Sequence, residues 1–119
     1  MLGRGQRLTD ARIFQSLFQR GTWVKGHHIS LRMMPSKHSG QIAFVVSKKI
    51  TKQAHERNTM KRKLRALIRD LGRTPTYQAT LDQYHILVVV HRNFVDVAYT
   101  ELRGELESML KRISPREMA

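Results

Sequence analysis

Apolar residues recur along this chain with two different periods, and the change from one to the other marks out its elements. Ile13, Phe14, Leu17 and Phe18 repeat at helical spacing. Thr9 is a suitable N-cap before them, Asp10 suits the first turn, and Gly21 is a natural stop. Ile29, Leu31 and Met33 then alternate with Ser30, Arg32 and Met34, the pattern of a half-buried strand. Pro35 to Gly40 reads as a turn-rich hairpin loop. A second alternating strand follows, with Ile42, Phe44 and Val46 on one face and the smaller Ala43, Val45 and Ser47 on the other. Trp23-Val24-Lys25 predicts one further short strand ahead of these two.

From Met60 the period returns to that of a helix. Met60, Leu64, Leu67, Ile68 and Leu71 form one apolar stripe, on a helix predicted to start near Glu56 to Asn58 and to end at Gly72, with Pro75 beyond as a stop. Residues 73–83 read as polar loop. His85 to His91 is a nearly continuous β-branched run, the mark of a strand covered on both faces. Asp96 is a candidate cap for a last helix with the stripe Tyr99, Leu102, Leu106, Met109, Leu110 and Ile113, in which Gly104 costs roughly 1 kcal/mol relative to Ala. The expected order is α-β-β-β-α-β-α, an α+β single-domain sandwich with a roughly four-stranded sheet and helices on it. A strand–helix–strand crossover in such a sheet is by default right-handed.

Composition narrows the class. A chain of 119 residues with 40% apolar positions is one domain with a single core, spanning 1–119. Without cysteine there is neither a disulfide framework nor a thiolate metal site. No apolar run approaches the ~18 residues of a membrane span, and the first residues do not read as a signal peptide. A cytoplasmic protein without membrane association is expected.

Charge changes the picture more. Between Lys48 and Arg73 there are ten Lys/Arg against Glu56 and Asp70, a net +8 of the chain's +13. Arg57, Asn58, Lys61, Arg62, Arg65 and Arg69 fall together on a face adjoining the apolar stripe. Solvated helix faces ordinarily mix both signs. A one-sign face repels itself and is relieved by a polyanion, so nucleic acid is the first partner to consider. Asn58 reads equally as a helix cap and as a phosphate ligand.

Reactive chemistry is not visible. Glu101, Glu105 and Glu107 are the tightest carboxylate cluster, and an exposed helix surface accounts for them. The six His show no metal-ligand spacing, and His27 and His28, adjacent on an expected strand, point to opposite faces. Ser47 has no evident base, and no phosphate-binding glycine motif is present. No catalytic residue and no metal-binding residue is assigned.

The run Ser47-Lys48-Lys49, a short spacer, then Arg57-Asn58-Thr59-Met60-Lys61-Arg62-Lys63-Leu64-Arg65 resembles the signature of the protein subunits of bacterial ribonuclease P. Resemblance extends to Arg7-Leu8-Thr9, to the two Phe of the first helix, and to the last strand and helix. It implies a fold like ribosomal protein S5 domain 2, with the basic helix in a left-handed βαβ crossover. It further implies binding of ribonuclease P RNA by Lys48, Lys49, Arg57, Asn58, Lys61, Arg62, Arg65 and Arg69. A cleft between the first helix and the sheet would hold the single-stranded 5′ leader of precursor tRNA, with Phe14, Phe18, Arg32, Val45 and Ser47 as candidates. Hydrolysis, and the Mg²⁺ it uses, would belong to the RNA subunit, and no obligate protein partner is implied. Two positions depart from the family: Thr59, where Arg is usual and for which Lys63, about 40° away, is a partial compensation, and Arg32, where an aromatic is common.

Three other readings remain in view. A general RNA-binding or ribosome-associated protein would need no single-strand cleft, making Phe14 and Phe18 purely core. A DNA-binding module would need a helix-turn-helix partner for the basic helix, whereas loop and strand are expected after it. A self-sufficient nuclease would need a carboxylate or His constellation that the chain does not display.

Overall fold

The β-branched run that ends at Val90 forms the strand around which the sheet is assembled. In the computed structural model the chain is described at residues 12, 15, 17 and 19 and over 21–36 and 40–112. Four strands, β1 (Thr22–Lys25), β2 (Ile29–Pro35), β3 (Ile42–Val46) and β4 (Tyr84–Val90), and three helices, α1 (Ala54–Leu71), α2 (Pro75–Gln83) and α3 (Tyr99–Arg112), make up the described fold. The sheet order is β1-β2-β4-β3. β1 and β2 are antiparallel neighbours, as are β2 and β4, while β3 runs parallel to β4.

β4 therefore lies between β2 and β3, and the segment joining those two is not a hairpin. A run buried on both faces takes the central position, because there neither face meets water. Residues 37–39 of the expected loop lie outside the described residues, as do Thr9, Asp10, Phe14, Phe18 and Ile113. Positions 12, 15, 17 and 19 are helical, in keeping with the first predicted helix.

One face of the sheet carries most of the core. Val24, Ile29, Leu31, Met33, Ile42, Val46, Ile86, Val88 and Val90 pack there with the α1 stripe Met60, Leu64, Leu67, Ile68 and Leu71 and with Leu102, Leu106, Met109 and Leu110 of α3. Each such side chain stabilises the fold by about 1.5–3 kcal/mol relative to an exposed one. On the opposite face Leu17 packs on Leu87, with Met34, Ala43, Val45 and Val89 half-buried around them. The alternation of β3 is thus as expected, with Phe44 on the α1 side and Ala43 and Val45 on the other.

Three expected boundaries differ. Residues 75–83 form α2 rather than loop: Pro75 is at its first turn, and Tyr77, Thr80 and Leu81 are buried. Proline lacks an N–H that the first turn does not use, so it starts this helix as well as barring the previous one from continuing. α1 begins at Ala54, ahead of the predicted start, which puts Asn58 beyond the first turn and removes its capping role. α3 begins at Tyr99, with the carbonyl of Ala98 accepting from Glu101 and Leu102 N–H, so Asp96 is not the cap.

Candidate nucleic-acid interface

The surface of α1 divides into three strips around its buried stripe. Outermost are Asn58, Arg62, Arg65 and Arg69, all exposed and spaced at successive turns. Towards β3 lie the half-buried Arg57 and Lys61; the Arg65 guanidinium stands 5.7 Å from the centre of the Phe44 ring. Towards the loop before α3 lie Glu56, Thr59, Lys63 and Asp70, and this strip is occupied with internal bonds. Lys63 Nζ donates to Val95 O, and Glu56 Oε1 accepts from Thr51 Oγ1 at 2.6 Å and from Asn93 Nδ2 at 3.5 Å. The Tyr99 hydroxyl hydrogen-bonds to Asp70, and that bond, with Arg73, Arg103 and Arg69 nearby, outweighs desolvation and holds the Asp70 carboxyl below its ordinary range.

Lys63 is accordingly not a substitute for the arginine expected at position 59. Its ammonium is held by a backbone carbonyl, and Thr59 Oγ1 donates back to His55 O at 2.9 Å. Arg57 is also partly committed, since its Nη1 donates to Thr51 O at 2.9 Å and so fixes the approach of the chain to α1. Among the described residues the ion pairs within 4.0 Å are His28–Glu105, Arg73–Asp70 and Arg103–Glu107. None involves Lys48, Lys49, Lys61, Arg62 or Arg65. Like charges one turn apart are thus left facing water, a field that attracts polyanions.

β3 is the seam between this surface and the other face of the sheet. Ser47, Lys48 and Lys49 follow its last residue as exposed positions leading towards α1. Val45 lies on the opposite face from Phe44, near Ala43, Leu87 and Leu17. Arg32 lies on that same face, in register with Leu87 and, through it, with Ala43. The structure therefore gathers Asn58, Lys61, Arg62, Arg65 and Arg69 on one side of β3, and Arg32 and Val45 on the other, with Ser47, Lys48 and Lys49 exposed just beyond the strand's end. Phe14 and Phe18 are outside the described residues.

Two features were not anticipated. Trp23 stacks with Arg32, the guanidinium carbon lying 4.2 Å from the indole centre; the alternation of both strands could have suggested a shared face, but not the pairing register. Glu105 is not a surface carboxylate. Its Oε2 accepts from the N–H groups of His28 (2.8 Å) and Ile29 (3.1 Å), and its Oε1 lies 2.8 Å from His28 Nδ1. Burial pushes the Glu105 pKa up, but these hydrogen bonds outweigh it and leave the carboxyl below its ordinary value. A Cβ on Gly26 would stand 2.8 Å from the backbone oxygen of Ile29, as well as 2.8 Å from Glu105 Oε2 and 2.6 Å from Met109 Sδ, so glycine suits this turn and its approach to α3. That turn also bends the chain at His27 and His28, whose rings meet edge to face at 4.6 Å rather than pointing to opposite faces.

Among the described residues no three His, Asp or Glu side chains gather into a set that could hold a metal ion. Fold and surface together define a small basic α+β domain with a cationic, acid-free helix face. The family described as Ribonuclease P matches residues 2–114. A ribonuclease P protein component from a Synechococcus species is 32% identical over 94% of this chain and 84% of its own length. The component from Finegoldia magna is 28% identical over 98% of this chain and 97% of its own. Among solved structures, the RNase P protein of Thermotoga maritima aligns with a TM-score of 0.74 at 22% identity, covering 91% of this chain and 97% of that one. One from Staphylococcus aureus gives 0.73 at 21% identity, covering 90% and 94%. The chain belongs to the ribonuclease P protein family. The likeness to the solved structures bears on the fold, and the parallel β3–β4 pair with α1 between them is consistent with the expected crossover.

Proposed function

We propose that this chain is the protein subunit of a cytoplasmic ribonuclease P, which removes the 5′ leader of precursor tRNA by RNA catalysis. The observation that carries the reading is the outer strip of α1, where cations stand without carboxylate partners directly opposite a fully buried apolar stripe. Lys48, Lys49, Asn58, Lys61, Arg62, Arg65 and Arg69 bind phosphates of the catalytic RNA, and Arg57 shares in this while bracing the Thr51 turn. On the other side of β3, Arg32, Val45 and Ser47, with Phe14 and Phe18, hold the single-stranded leader by phosphate contact and stacking, reading little sequence. Placing fixed cations between two folded RNAs lowers their repulsion and so reduces the Mg²⁺ they require. Mg²⁺ supplies the hydrolytic chemistry from the RNA, and no side chain here is assigned to it or to catalysis. No further protein is needed.

The test is cleavage of a precursor tRNA by bacterial ribonuclease P RNA at low Mg²⁺, with and without this protein. Rescue of cleavage at the mature 5′ end, with no cleavage by the protein alone, is expected. RNA binding without rescue would instead make it a general RNA-binding protein and end the proposal.

A further inference from the structure

Among the described residues, Trp23 and Tyr99 are the large apolar side chains left exposed, and Tyr99 is engaged with Asp70. Trp23 keeps 46% of its surface open on β1, an edge strand. It pairs directly across the sheet with Arg32, whose guanidinium rests on the indole and fixes its orientation. Lys25, two residues along the same strand, shares the parity of Trp23 and is exposed. Neither β1 nor β2 contains a carboxylate. An open ring flanked by cations, on two strands that carry no acid, suits an unpaired base and its phosphates better than it suits an apolar protein surface.

The register places this pair relative to the cleft. Trp23, Arg32, Leu87 and Ala43 form one row across the sheet, three strand spacings of about 4.8 Å from end to end. Leu17 packs on Leu87 within that row. The chain then leaves the first helix above Arg32, for a Cβ on Gly21 would stand 3.4 Å from Arg32 Cβ. Leu17 and Gly21 thus stand over the row between its two ends, with Trp23 on the β1 side and Ala43 and Val45 on the β3 side.

We propose that Trp23, oriented by Arg32, is a stacking platform for an unpaired base of the 5′ leader, extending the leader path to the β1 edge of the sheet. This rests on the function proposed above and adds a site to it. Arg32 both holds the ring and meets the adjoining phosphate, so a charge at this strand position serves a stacking site instead of replacing one.

Trp23 is the single tryptophan of the chain, so its emission reports this site alone. In the holoenzyme reconstituted with ribonuclease P RNA, precursor tRNA with a long leader is expected to quench that emission, and mature tRNA is not. Trp23→Ala should weaken binding of the long-leader precursor by about 5- to 150-fold, the worth of one stacked base, with affinity for mature tRNA unchanged. Trp23→Phe should retain most of the affinity. Should Trp23→Ala fail to fold by circular dichroism, the quenching and Trp23→Phe decide the matter. Quenching by the catalytic RNA alone, or an emission change with protein concentration alone, would assign the face to another occupant and overturn the proposal. Unchanged precursor affinity in Trp23→Ala, with cleavage at low Mg²⁺ still rescued, would overturn this site and leave the broader function standing. Loss of rescue by the unaltered protein would end both.

Discussion

α1 and α3 pack on the same face of the sheet and bury comparable apolar stripes, yet they use their charges in opposite ways. On α3, Glu105 holds the β1–β2 turn, and Arg103 Nε donates to Glu107 at 2.9 Å, with Tyr77 of α2 reaching the same carboxylate. Arg112 Nη1 donates to Lys25 O at 3.1 Å. Glu105, Glu107 and Arg112 of α3 thus brace it against its neighbours. On α1 only the strip facing the loop before α3 is used that way, through Glu56, Lys63 and Asp70, while the outer strip is left to solvent. Charges that hold a fold find partners within it, and charges kept for a ligand do not. The contrast separates the two helices although their apolar patterns look alike.

The largest effects should come from the side the helices share. Leu64→Ala on α1 is expected to cost about 2–5 kcal/mol in thermal or denaturant unfolding. A similar loss from Arg62→Ala would break the distinction between the two sides of α1. Next in size is Glu105→Ala, which leaves the N–H groups of His28 and Ile29 without their acceptor and is expected to cost about 1–3 kcal/mol. The cost of Glu105→Gln should depend on pH. Because the folded Glu105 carboxyl titrates below its ordinary 4.5, its contribution is complete above that value and is lost as pH falls through the folded pKa. Unfolding curves of the two proteins should therefore converge in acid; a gap that widens there would contradict the assignment. Smallest is Thr59→Arg. It adds a cation beside Arg62 at a half-exposed position whose side chain bonds only within its own helix, so stability should change by less than about 0.5 kcal/mol. Affinity for ribonuclease P RNA should rise, with a salt dependence steeper by roughly one phosphate contact.

Much of this was legible in sequence, for reasons specific to each part. Period-two alternation in β2 and β3 and the two-sided burial of β4 are strong signals, because each side chain's face follows from its parity. The α1 stripe and its one-sign neighbours were equally plain. α2 was missed because Tyr77 and Leu81 give only one helical repeat and Pro75 reads as a stop as easily as a start; the pair Thr74-Pro75 was the available clue. Glu105 and Lys63 were misjudged because their partners, His28 and Val95, are 77 and 32 residues away. No local pattern reports such a pairing. The Trp23–Arg32 stack has the same origin, since it depends on strand register rather than on the order of residues.

The most direct measurement is the salt dependence of binding to ribonuclease P RNA, for the unaltered chain and for Arg62→Glu/Arg65→Glu, alongside their unfolding midpoints. The double substitution is expected to leave the midpoint nearly unchanged. It should weaken binding and flatten the slope of log K against log salt by roughly two, since each neutralised phosphate contributes close to one. An unchanged slope, or a protein that loses its fold, would show that the outer strip of α1 is not the surface that meets the RNA.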